Sequence, residues 1–448
     1  MHFPRFRFRF LPPVLLAVAA LTAPARSADP VVTQFALSNG MQVVVIPDHR
    51  APVVTQMIWY KVGAMDDPAG HSGLAHFFEH MMFRGTKAVP GEGFSLALSR
   101  NGGDTNAFTT EDYTAFYVQI ARDRLKLAMS LEADRMQHLD LSDAGVRTER
   151  DVVLEERRMR IENNPQSLAN EQVEAALYLS HPYGRPVIGW PEEVGRLARG
   201  EAQAFYDHHY APNNAILIIV GDVTPDDVKR ATADTLAKVP ARPLEQRIRN
   251  AEPPRLGETR LAIARPDVQV PLFSRTYRTP SYPTAKPGQA EALDLLAVMV
   301  GGDSNAVLYR KLVVEQKLAT DVGASFDGDA RDSGEFSIYA VPRPGVSLEQ
   351  VEHAVDAVLA PFIAAPPSAA DLARVKTQLI AGEVYKRDSQ LSLATAYGQA
   401  LVNGLTVTDV HDWPHRVTAV APQTVHDVAA HFLNRREAVT LYLTPLHA

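Results

Sequence analysis

Between residues 71 and 86 the chain reads HSGLAHFFEHMMFRGT. His76, Glu79 and His80 stand in the arrangement H-x-x-E-H, and nearly everything around them is apolar: Leu74, Ala75, Phe77, Phe78, Met81, Met82 and Phe83. Residues four apart are neighbours on a helix, so this spacing puts both imidazoles on one face, a turn apart. A helix this apolar is expected to be buried, with Ser72 as its N-cap. Three ionisable groups inside it need partners, because buried charge is costly unless paired or bound to metal. Two imidazoles so placed can share one divalent ion, and Glu79 is close enough to reach a water on it. The plainer alternative is two satisfied core histidines beside a salt-bridged glutamate, and a bare H-x-x-E-H also arises by chance.

A metal that keeps one position open for water usually has three protein ligands. A third is available in residues 143–163, DAGVRTERDVVLEERRMRIEN, which read as a long helix stopped by Asn163, Asn164 and Pro165. Val146, Val153 and Leu154 belong to its apolar side. Glu149 and Glu156 are seven apart, two turns, so they share a face. Glu155 is a rival, pointing about one helical step away. Arg147, Arg150, Arg157 and Arg158 could instead make this a solvated charged face, and spacing alone leaves that open.

These two motifs together resemble the pitrilysin/insulinase family of zinc metallopeptidases, which includes the mitochondrial processing peptidase and shorter bacterial members. Glu156 follows His80 by 76 residues, and Glu149 to Glu156, ERDVVLEE, fits the family's second motif. The resemblance runs along nearly the whole chain after residue 28. It implies one Zn2+ held by His76, His80 and Glu156, with Glu79 as the general base. Glu149 is then the carboxylate that orients a ligand histidine. The strand around Asn106, Ala107 and Phe108 is implied to be an edge to which an extended peptide adds. The implied activity is hydrolysis of unfolded peptides within an enclosed chamber.

The first 28 residues read as a secretory signal peptide: Arg5, Arg7 and Arg9 without an acid, an apolar run from Leu11 to Leu21, and cleavage after Ala25 or Ala28. The apolar run is too short for a comfortable membrane span. Removing the four arginines before residue 29 takes the formal net charge from −7 to −11. That excludes a basic nucleic-acid footprint. The chain has no cysteine, which excludes disulfides, thiolate ligands and a cysteine nucleophile. Export points to a bacterial periplasm.

The rest is a degenerate repeat. YAPNNAILIIV from Tyr210 and LNRREAVTLYL from Leu433 align without gaps at an offset of 223, each an amphipathic helix leading into a β-branched run. Residues 102–120 resemble 323–341 more loosely. Proline-rich residues 241–257 read as a linker between halves at 29–240 and 258–448. The expected fold is α+β: two homologous α/β rolls, each an antiparallel sheet with helices on one face, enclosing a cavity. Residues 291–302 stand where the motif would recur and contain no histidine, so one metal site per chain follows.

One departure bears on partners. Self-sufficient family members, and the partner subunits of two-chain members, carry an Arg and a Tyr a few residues apart in the second half. Here Arg387 and Tyr397 are ten apart. The expected arrangement is therefore a heterodimer with a paralogue that lacks H-x-x-E-H, the alternative being a homodimer. Two other classes remain in view: a non-catalytic assembly or chaperone subunit, and a metal- or solute-binding protein. Neither needs an intact Glu79 beside three ligands.

Overall fold

A computed structural model describes residues 30–446 apart from 245, 246, 250 and 387. The signal-peptide reading lies outside the described residues. Everything below concerns the unit Val31–Ala448. No helix among the described residues is long and apolar enough to cross a membrane.

Two sheets organise the unit. The first contains β1 (Thr33–Ala36), β2 (Gln42–Pro47), β3 (Val53–Tyr60), β4 (Asp104–Thr109), β5 (Thr114–Ala121) and β6 (Ala215–Gly221), in the order β1-β2-β6-β3-β5-β4. The second contains β7 (Thr259–Arg265), β8 (Leu272–Pro280), β9 (Ala319–Asp327), β10 (Ser333–Pro342) and β11 (Ala438–Pro445), in the order β7-β11-β8-β10-β9. Without β1 the two orders are the same topology. β6 and β11 begin at Ala215 and Ala438, the gapless offset seen in the sequence.

The sheets are mixed rather than antiparallel. In each, the last strand returns after the helices and inserts beside the first with the same direction, making β2–β6 and β7–β11 parallel. Helices also lie on both faces rather than one. Alternation along β3 separates its side chains: Val54, Ile58 and Tyr60 join the core around the H-x-x-E-H helix, while Met57 and Trp59 point to the other side. That other side is covered from the second half, by the helix Gln390–Val402 through Leu393, Ala394 and Tyr397. In return the first half's helix Pro165–Leu177 lays Ala169, Val173 and Leu177 on Val439, Leu441 and Leu443 of β11. The all-apolar run of β6 follows from this: buried on both faces, it has no polar side to show.

Residues 240–258 carry no helix or strand among the described residues, yet they are pinned. Arg247 Nε donates to Asp66 at 2.7 Å, Glu252 accepts from the backbone of Ser180 and His181, and Arg255 reaches the Leu177 carbonyl.

The exchange of helices is tight at one point. A Cβ on Gly398 would lie 2.0 Å from Trp59 Cε2, and Trp59 is fully buried. Gly398→Ala is therefore expected to overpack this seat and cost about 1–3 kcal/mol, read as a fall in the melting temperature. A melting temperature equal to the wild type's would show that the helix does not sit on Trp59 in solution.

Candidate metal centre

The first motif forms an eight-residue helix, Leu74–Met81. Its start depends on Gly73, whose φ of 84° lies in the left-handed region. Ser72 is not the cap. Its hydroxyl accepts from Trp190 N at 2.9 Å, and its own N–H donates to Glu193 at 2.7 Å. The capping acceptor is the buried carboxylate of Asp67, which takes the N–H groups of Gly73 and Ala75 at 2.8 Å each. Burial raises Asp67 to about 8 although those two bonds and Arg185 lower it. Phe77, Phe78 and Met81 seat the helix, with Phe78 packed on Tyr210 at 4.4 Å between ring centroids.

The second motif lies on the helix Asp143–Arg157, capped by the Ser142 hydroxyl and continued by a π-helical turn, Arg158–Glu162. Its glutamates separate clearly. Glu156 Oε2 lies 3.1 Å from His80 Nε2 and 3.6 Å from His76 Nε2. Glu149 lies behind the histidine instead: its Oε1 is 2.9 Å from His80 Nδ1, and its Oε2 accepts from Arg84 Nε. Glu155 points away to Arg158, its side chain 58% exposed. Arg157 does not compete, because it is buried in a bidentate pair with Glu171 at 2.7 and 2.9 Å.

Electrostatics divide the two histidines. Burial, then the neighbouring His80, lowers His76 to about 4. Burial also pushes His80 down, but hydrogen bonds to Glu149 and then Glu156 raise it to about 9. Glu156 is lowered by its bond to His80. Glu149 is lowered as well, because His80 and Arg84 outweigh its burial.

This donor set fits zinc. One ligand atom from each of His76, His80 and Glu156 falls within 4.8 Å of the others. Tetrahedral ligands at Zn–N and Zn–O distances near 2.0–2.1 Å are separated by roughly 3.3 Å, between the 3.1 and 3.6 Å observed. Glu156 Oε2 is buried between the two imidazoles, as an atom facing a cation should be. Its other oxygen is held by Arg160 at 2.9 Å.

Glu79 opens on the same pocket of about 580 Å3, whose walls come from the first half alone. Burial raises its pKa, opposed by a hydrogen bond from Thr109. That bond runs from Thr109 Oγ1 to Glu79 Oε2 at 2.6 Å. Thr109 ends β4, which is the free edge of the sheet. On β4 the Ala107 N–H donates to the Asn106 side-chain oxygen at 2.9 Å, not to a neighbouring strand. The Phe108 ring packs on the far face against Trp59 and Tyr113.

The Arg/Tyr candidates fare differently. Arg387 lies outside the described residues. Tyr397 is buried on the opposite face of the sheet from the histidines, 3.0 Å from His411, so it does not reach the pocket. The sequence reading missed Arg84, Arg160 and Thr109. The two arginines each follow a ligand by four residues, a spacing that could have marked them. Thr109 carried no such signal, because it meets Glu79 only through the packing of strand on helix.

Comparison with known proteins agrees with this geometry. A model of the insulinase peptidase family, M16, matches residues 42–190, and a model of the M16 inactive domain matches residues 196–379. The zinc protease PqqE of Helicobacter pylori is 26% identical over 99% of this chain and 100% of its own length. The crystal structure of a protease from Helicobacter pylori superposes with a TM-score of 0.86 at 25% identity, covering 93% of this chain and 100% of that one. The periplasmic protease PqqL from Escherichia coli superposes with a TM-score of 0.79 at 19% identity, covering 92% of this chain but 47% of that one. With one family domain matched after the other, and a fold shared across nearly its whole length, the chain belongs to the insulinase family of peptidases, family M16.

Proposed function

We propose that the chain is a zinc-dependent endopeptidase for unfolded peptides and the zinc-bearing subunit of a two-subunit enzyme in a bacterial periplasm. The observation that carries the reading is convergence: His76, His80 and Glu156 face one point beside Glu79, in a pocket bordered by the free edge of β4. When bound there, zinc supplies Lewis acidity, acidifying a water and polarising a peptide carbonyl. The chain's residues supply the rest. Arg84 and Glu149 fix the ring of His80, and Arg160 fixes Glu156. Glu79 removes the proton of the attacking water and returns it to the leaving amine. An extended peptide adds to β4, displacing the Asn106 side chain from the Ala107 N–H. Backbone pairing of this kind accepts varied sequences.

The partner follows from what one chain lacks. The pocket's walls come from one half, and Tyr397 is sealed on the far side of the sheet. PqqL is about twice as long as the part of it this chain covers. A second chain of similar fold, without H-x-x-E-H, would close the pocket and bring an Arg/Tyr pair to the carbonyl. A second copy of this chain is the alternative.

Elemental analysis is expected to find about one zinc per chain and to find it lost in His76→Ala. Equal zinc in both would overturn the ligand set. Glu79→Gln should retain zinc and fold while peptide cleavage falls about 10²–10⁴-fold, and wild-type turnover of a quenched peptide by that variant would give Glu79 another role. Mixing with the paralogue should form a 1:1 complex and raise activity about 10²–10³-fold, the scale of one missing electrostatic donor. Full activity of a pure monomer would refute the two-subunit arrangement.

A further inference from the structure

We infer that the Thr109 hydroxyl is a positioning residue for the base Glu79, so that the strand edge receiving the substrate also sets the base; this rests on the peptidase reading above. The contact joins two elements remote in sequence. Glu79 stands on the motif helix, and Thr109 is the last residue of β4, thirty positions later.

Proton accounting shows what the hydroxyl does. Thr109 and Thr114 are paired across β4 and β5, and their hydroxyl oxygens lie 3.4 Å apart. Each hydroxyl has one proton to donate. That of Thr114 goes to the buried Val62 carbonyl at 3.0 Å. That of Thr109 goes to Glu79 Oε2 at 2.6 Å, the shorter and charge-assisted contact. Among the described residues Glu79 has no other hydrogen bond. Its three side-chain torsions are therefore fixed by Thr109 and by packing. A β-branched side chain is a suitable anchor, because its own χ1 is stiff and Thr114 backs it.

The consequence is directional. With Oε2 held, the carboxylate keeps Oε1 available to the attacking water. A peptide adding along β4 stiffens the strand that ends in Thr109, so docking and base orientation share one residue. Small misplacements at a reacting centre are expensive in rate.

Thr109→Val removes the hydroxyl and keeps the branched shape, whereas Thr109→Ser keeps the hydroxyl. The expected result, with the partner present, is unchanged zinc content and a KM within about twofold. The kcat of Thr109→Val should fall roughly 10–100-fold, with most of it restored in Thr109→Ser. Binding of an intact peptide is measured separately by calorimetry in the Glu79→Gln background, with and without Thr109→Val. Equal affinities are expected there. A tenfold weaker affinity would show that Thr109 only maintains the strand edge, and would overturn the proposal. So would an unchanged kcat in Thr109→Val when the wild type is active. A wild type with bound zinc and partner that cleaves no peptide would instead overturn the peptidase reading, and this inference with it.

Discussion

The site depends on two helices, Leu74–Met81 and Asp143–Arg157, that bury or half-bury ionisable groups against each other. His76 is 8% exposed and Glu149 is 3% exposed, and such burial is tolerable only where each group has a partner. The structure provides partners in layers. Arg84 holds Glu149, Glu149 holds His80, Arg160 holds Glu156, and Thr109 holds Glu79. What these partners leave is a single point where Glu156 Oε2 faces two imidazole nitrogens. A cation there would neutralise the carboxylate and take up the lone pairs of both rings. The helix Leu74–Met81 is thus held by its surroundings so that three ligand atoms converge, and its apolar faces are buried.

The second half shows the same seat with the charge problem answered differently. Its helix Gln289–Gly301 also starts after a left-handed glycine, Gly288, with φ 81° against 84° at Gly73. Counted from these equivalent starts, Glu291 stands at the place of His76, Asp294 at that of Glu79 and Leu295 at that of His80. Glu291 is buried and neutralised by Arg416 at 2.6 Å, and Asp294 accepts from the Tyr282 hydroxyl. A similar count from Ser142 and Ser368, whose hydroxyls each accept a backbone N–H three residues on, places Val375 at Glu149 and Gly382 at Glu156. Here an arginine pairs with one carboxylate and a tyrosine hydroxyl donates to the other. Repetition preserved the backbone and released the side chains.

How much of this was legible in the sequence follows the range of each interaction. His76 and His80 are one turn apart, and Glu149 and Glu156 two, so helical periodicity alone put each pair on a shared face. The 76-residue spacing to Glu156 was readable only through resemblance, because no local rule connects the two helices. The 223-residue offset placed β6 and β11 correctly, since an apolar strand after an amphipathic helix is a local pattern. Strand direction was not legible: β6 pairs beside β2 although the two are far apart along the chain, and nothing in either segment states parallel or antiparallel. The N-cap was misassigned because Asp67, lying outside the helix, reaches back to Gly73 and Ala75, leaving Ser72 to bond Trp190.

The exchanged helices give a physical reason why Tyr397, already a poor fit by its ten-residue distance from Arg387, does not serve the pocket. From sequence, Gln390–Val402 is simply a helix of the second half, and nothing in it states which face of which sheet its tyrosine meets. In the fold it crosses to the first half on the wrong face. Met57 and Trp59 alternate with Ile58 and Tyr60 along β3, so a side chain touching Trp59 is separated from the histidines by the thickness of the sheet. Gly398 confirms the closeness, since the Trp59 ring occupies the space of its missing Cβ. The helix that packs the two halves together therefore does not reach the pocket. Packed this way, the second half contributes this helix to the far face of the first sheet, while the pocket beside the histidines is lined by first-half residues.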